Sequence, residues 1–365
     1  MRRATFLSVP FAILVAWLVM GAAFAGSSPD KAPPSTQAAE WKLPAKVRLD
    51  PPRFRVTGDH RCAIYADEEL SQSQSAGQDL PPPVTYWVLR RGAEPSKIID
   101  LLPEEARKAG LAIRFVEPSP KGSVILVLGR TADGSMSAYV LDLEKNRSER
   151  IGSSPRIVPM WAGTEIVVAE ADKDQIRPLS VVVPFQNKSR ALPLHGMIIA
   201  GSANAGTFVL LGDPADLRKQ MARADFAEKA RLVSAAADGK VLRDLAAAQS
   251  LNHTPVLSPG GKYVAFQQRS EKPQGKPSIR VLSVAGSEDR AIREFALVLS
   301  VSDSGEVVTF GVGDTSDGTP IKAWDAKGTP RVLVKAAQAA TVSGGQVFYV
   351  TPGEAPVIKS VSIPN

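Results

Sequence analysis

Cysteine and histidine are nearly missing from this 365-residue chain: Cys62 stands alone, and His60, His195 and His253 are the only imidazoles. One cysteine forms no internal disulfide, and four such side chains are too few for a Cys/His zinc cluster or for copper and haem sites that consume several imidazoles. No metal and no cofactor is therefore expected. Concentrated charge is lacking too. The 44 basic residues are scattered among 37 acidic ones, without a basic run interleaved with aromatics, which argues against a nucleic-acid partner. With 44% hydrophobic and 22% charged residues, the chain can bury a large core, and neither disorder nor repeated membrane spans fit.

The first acidic residue is Asp30. Ahead of it, residues 1–25 combine Arg2 and Arg3, an apolar stretch from Ala4 to Val19, and the small-x-small triplet Ala23-Phe24-Ala25, the layout of a secretory signal peptide cut before Gly26. A retained anchor is the alternative, because the run approaches the length of a short spanning helix. No cysteine follows the cut, so the expected place is periplasmic or secreted without a lipid anchor. Removing Arg2 and Arg3 lowers the formal charge from +7 to +5. Residues 26–44 open as a Pro-, Ser- and Ala-rich stretch and read as a flexible linker. In an oxidising compartment a lone thiol is best kept buried, and Cys62, within an apolar run, is expected to be an inert strand residue.

A turn containing glycine followed by an apolar strand recurs at Ser119–Leu128, Trp161–Ala169, Asn204–Leu211, Ser258–Phe266, Ser302–Phe310 and Ser343–Val350, with a fainter copy at Thr57–Tyr65. The marks Gly122, Gly163, Gly206, Gly261, Gly305 and Gly345 are 41, 43, 55, 44 and 40 residues apart. Each copy continues with a further strand, such as Ala138–Leu143 or Ile279–Ser283, and most with another short apolar one. Four short strands at this period predict an all-β fold, a seven-bladed β-propeller over residues 45–365. The last repeat ends after its third strand. The orphan strand at 46–50 is expected to complete it by pairing with 357–363, since an edge otherwise stays open.

The stretch Ser258-Pro-Gly-Gly-Lys-Tyr-Val-Ala-Phe266 resembles the S-P-D-G-K-x-I-A-F turn and strand of TolB-like (WD40-like) propeller repeats, with Gly260 in place of the aspartate. The resemblance implies a fold rather than a reaction. It covers the propeller repeats only, because the family's namesake has a separate N-terminal α/β domain and six blades.

No G-x-S-x-G pentapeptide, P-loop or H-E-x-x-H pattern occurs. Asp172, Asp174, Asp314 and Asp317 read as solvated turns rather than a calcium loop. The long connections carry more information. Asp67–Pro83, Asp213–Lys229 and Arg269–Pro277 each join the second and third strands of a repeat, which places all three on one face. In the middle one, Asp213 as cap and Pro214 at the first helical position predict a short helical insertion in the fourth blade. Leu217, Met221 and Phe226 would form its apolar stripe, docked on the ring or on a partner. These three, with Arg269 and Lys272, are the binding-face candidates. Two functions stand: an exported scaffold that binds a protein, peptide or envelope polymer through this face, without stable membrane insertion, or a hydrolase or lyase with its site in the central channel. The failed search for catalytic motifs favours binding.

Overall fold

The computed structural model describes the chain from Trp41 to Ile363, apart from residues 45–52, 68–84, 172–176, 203–205, 220–228, 237, 239, 249–250, 252, 271–276, 313–316 and 354. Seven four-stranded antiparallel sheets follow one another: blade 1 spans residues 55–97, blade 2 112–154, blade 3 157–195, blade 4 197–247, blade 5 256–292, blade 6 296–337 and blade 7 339–362. First strands of neighbouring blades pack together around the axis. The four-strand repeat thus builds a β-propeller.

Period-two patterning explains how the ring holds. In Cys62–Asp67, Ile64 packs toward blade 2, while Ala63 and Tyr65 pack toward blade 7. Every blade does the same, and one apolar cluster fills each of the seven gaps between blades. The core is therefore a ring of seven wedges, each sealed by two sheet faces. Cys62 lies in the wedge between blades 1 and 2, 3% exposed, and burial pushes its thiol pKa up.

The turns between first and second strands form one face of the ring, hereafter the turn face. All six marker glycines have φ between 57° and 81°, the left-handed region a Cβ disfavours. Blade 1 has His60 at this position, at φ 60°. Its equivalence to Gly261 is fixed by matching bonds, from Thr57 N–H to Cys62 O at 2.9 Å and from Ser258 N–H to Tyr263 O at 2.8 Å. Neighbouring turns are also stitched together. Gly260 N–H donates to both oxygens of Asp303 at 2.9 Å, and the Ser258 hydroxyl donates to Asp303 Oδ1 at 2.7 Å. The carboxylate missing from the blade 5 motif is thus supplied by blade 6, and a Cβ on Gly260 would stand 2.4 Å from Asp303 Oδ2.

Arginines on the same face bridge blades. Arg243 of blade 4 donates to the carbonyls of Ser283, Gly286 and Glu288 in blade 5 at 2.8, 2.8 and 3.0 Å. Arg290 of blade 5 reaches Asp325 O in blade 6 at 2.7 Å. Arg90 of blade 1 reaches Leu143 O in blade 2 at 3.1 Å, and the Arg147 guanidinium of blade 2 lies 4.0 Å over the Phe185 ring of blade 3.

Ring closure is by an N-terminal strand, placed at Trp41–Lys42. Trp41 pairs with Ile358 and Lys42 with Val357, within the stretch read as linker, and Leu43 N–H adds a bond to Pro356 O at 3.2 Å. Burial decides the choice: Trp41 and Leu43 are 5% and 6% exposed in the wedge shared by blades 7 and 1. Residues 46–50 lie outside the described residues. The fourth-blade helix does not begin at Pro214, because two successive aspartate turns replace its first turns. Asp213 Oδ1 accepts from Ala215 N–H at 2.9 Å and Asp216 Oδ1 from Arg218 N–H at 3.0 Å. Helix does occur between blades 1 and 2, as α1 (Ile98–Leu101) and α2 (Glu104–Lys108). Ile98, Leu102 and Ala106 from this pair fill the wedge beneath it.

Candidate binding face

Opposite the turn face lie the connections between second and third strands and the links from blade to blade. Among the second-to-third-strand connections, the longest run from Asp67 to Thr85 in blade 1, from Gly212 to Arg231 in blade 4 and from Gln268 to Ser278 in blade 5. All three leave this one face, because strand direction alternates within each blade. Their middles, including Met221, Phe226 and Lys272, lie outside the described residues. Arg269 is exposed at the rim.

Leu217 belongs to the ring. It is 1% exposed in the wedge between blades 3 and 4, and its Cδ2 occupies the space that a Cβ on Gly212 would take. Its carbonyl accepts from His195 N–H at 2.7 Å, and Arg218 donates to Asp238 O at 3.2 Å. The first part of this insertion therefore folds down along blade 4, and the docked reading of Leu217 is the one realised.

Sequence reasoning missed an apolar pair on this face. Phe295 precedes the first strand of blade 6 and Val312 follows the second, and the pairing of Ala296 with Gly311 puts them side by side. Each is 42% exposed, and Glu294 beside Phe295 is tied to Lys322 at 2.9 Å. Nothing in the pattern of residues 293–299 separates an exposed Phe from a buried one; only the strand boundary does. Arg53, Arg114 and Arg130 lie near one another at blades 1 and 2. Arg114 has its pKa lowered by burial and then by the like charges of Arg130 and Arg53.

The three histidines do not meet. His60 is on the turn face, its ring 4.8 Å from Phe348, and burial lowers its pKa. His195 ends the fourth strand of blade 3 and His253 lies in the link between blades 4 and 5, and burial also lowers the His253 pKa. Among the described residues no three His, Cys, Asp or Glu side chains converge as a metal would require. The central wall does hold one perturbed acid. Glu117, on the first strand of blade 2 (Ala112–Pro118), is 1% exposed, and neither carboxylate oxygen has a hydrogen-bond partner. Burial raises its pKa to about 8, against the pull of Arg55 on the first strand of blade 1. It shares its strand face with Phe115, toward blade 3, whose Trp161 Nε1–H donates to Glu117 O at 3.1 Å. So enclosed, it is poorly placed to act on a substrate.

No protein-family model matches the chain, and no curated protein matches it in sequence. Among solved structures, the β-propeller domain of the Trilobed protease from Pyrococcus furiosus is similar with a TM-score of 0.54 and 13% identity, over 88% of this chain and 97% of that one. A chain of the mitotic checkpoint complex gives a TM-score of 0.51 at 12% identity, over 94% and 98% of the two chains. TolB from Acinetobacter baumannii aligns with a TM-score of 0.43 at 12% identity, over 76% of each chain. Identities this low speak to architecture alone, and the architecture is that of a seven-bladed β-propeller.

Proposed function

We propose that the chain is an exported binding propeller whose loop-bearing face engages a protein, peptide or envelope polymer. The observation that carries this reading is the departure of the three longest second-to-third-strand connections from one face, beside the exposed Phe295 and Val312. Similar folds in a protease and in a checkpoint complex are in keeping with a surface that handles polypeptides. Export rests on the leader at residues 1–25, and no helix of the described residues is long and apolar enough to cross a membrane.

A photo-cross-linking amino acid placed at Phe295 or Arg269 should capture a partner in intact cells. The same group at Lys121 or Lys145, exposed on the turn face, should not. Capture from the turn face alone would overturn the reading. N-terminal sequencing of the exported chain should begin at Gly26, and a chain that retains residues 1–25 would refute cleavage.

A further inference from the structure

The one blade whose turn departs from glycine lies at the seam where the two ends of the chain meet. Six blades carry a marker glycine, whereas blade 1 carries His60 in the same left-handed backbone, at φ 60°. Glycine takes that conformation without steric cost, and a residue with a Cβ does not. What the histidine adds lies across the seam.

Its imidazole leans onto blade 7. The ring centroid is 4.8 Å from that of Phe348. A Cβ on Gly344 would stand 2.7 Å from His60 Nε2 and 2.9 Å from Cε1, so the ring occupies a notch that only glycine leaves open. Beside it, the Ser343 hydroxyl of blade 7 donates to Thr57 O of blade 1 at 3.3 Å. Nε2 is buried without a hydrogen-bond partner, surroundings that suit the neutral ring.

Two charges act on this ring. Asp59 favours its charged form and Arg91 opposes it. The Asp59 oxygens already accept from the Thr57 and Ser123 hydroxyls and from Arg61 N–H. Arg91, just after the third strand of blade 1, holds its guanidinium 5.0 Å over the Trp41 ring, and Trp41 belongs to the strand that closes the propeller. From blade 7, Ser343, Gly344, Gly345 and Phe348 bring no charge to the notch. A proton on His60 would thus place an N–H without an acceptor in the notch and set a second cation near the arginine that covers Trp41.

We propose that His60 is a proton-operated clasp of the ring: neutral, it fastens blade 1 to blade 7, and protonated, it loosens this seam and the hold on Trp41. The other six blades have glycine at the corresponding turn, so the response is confined to the closure. Burial, offset in part by the Ser343 backbone and Asp59, lowers the imidazole pKa from its ordinary 6.5. The seam is therefore firmest above about pH 6.5 and loosens as pH falls below it. Glu117 does not mimic this effect, because its protonation acts in the opposite sense and at another wedge. The clasp belongs to the fold and stands whatever the loop-bearing face binds.

Hydrogen exchange of the full chain, read by mass spectrometry and normalised to unfolded-chain rates, resolves the seams one by one. Between about pH 7.5 and about pH 5.5, Trp41–Lys42 and Gln346–Val350 should exchange faster by about twofold or more, relative to Thr207–Gly212 of blade 4. His60→Asn tolerates the left-handed backbone and does not titrate in this range, so it should abolish the difference. His60→Gly, the residue of the other blades, gives the same reading should the asparagine variant fold poorly. Arg91→Gln should shrink the response at Trp41–Lys42. No selective change in the parent would overturn the proposal, as would an equal change in both His60 variants or a uniform change across all seven seams. A response at Trp41–Lys42 undiminished in Arg91→Gln would overturn the route through Arg91.

Discussion

Replacing Glu117 by glutamine should remove a pH dependence that this one carboxyl imposes on the whole ring. Burial, opposed by Arg55, raises its pKa from an ordinary 4.5 to about 8, and neither oxygen has a hydrogen-bond partner. The folded state therefore holds the proton more tightly than the unfolded chain does. The stabilisation is complete below pH 4.5 and is lost as pH rises to about 8. At ~1.4 kcal/mol per pH unit, that interval corresponds to a loss on the order of 4–5 kcal/mol. The amide in Glu117→Gln never ionises, but its donors meet the same partnerless surroundings, at a cost of about 1–3 kcal/mol at every pH. The parent should thus be the more stable protein near pH 4, and the variant should lead by about 2 kcal/mol near pH 9. Urea unfolding of both chains across this range gives the difference directly, since all other titrating groups are shared. Stability curves that stay parallel from pH 4 to pH 9 would refute the reasoning.

Other perturbations probe the seams and the insertion. Arg243→Ala removes three bonds into blade 5. Discounted for partial exposure, the loss should be about 1–2 kcal/mol, read as a fall of a few degrees in thermal melting. Gly260→Asp adds a carboxylate that is driven into Asp303; it should destabilise by about 2 kcal/mol or more, and Asp303→Ser should recover most of that loss. Leu217→Ala should cost about 2–4 kcal/mol in chemical unfolding, as expected of a wedge residue and not of a solvent-facing one. At His60, held at φ 60°, a valine should be less stable than a glycine by about 1–2 kcal/mol in the same assay.

The blades were legible because every repeat carries its turn and its apolar strand in the same order. The left-handed φ of the six marker glycines is the physical reason they recur. Closure was harder to place. Ala45–Asp50 alternates apolar and polar residues as well as Trp41–Leu43 does, and only the wedge between blades 7 and 1 rewards the larger Trp41 side chain. Helices α1 and α2, four and five residues long, are too short to show a period of 3.6. The loop-bearing face was legible as a location, since strand direction alone assigns each connection to one face. Roles within it were not. Leu217 and Met221 sit on the same inferred stripe, and nothing in their spacing reveals that Leu217 is committed to the ring.

Asp303 gives the repeat a property that no single repeat contains. The carboxylate absent at Gly260 arrives from the next blade, so the turn signature of blade 5 is written across two repeats. A duplicated or transplanted blade 5 would leave its turn without that acceptor unless blade 6 travelled with it. A side chain at position 260 and the aspartate at position 303 compete for the same space. The turn of blade 5 is therefore completed only in the company of blade 6.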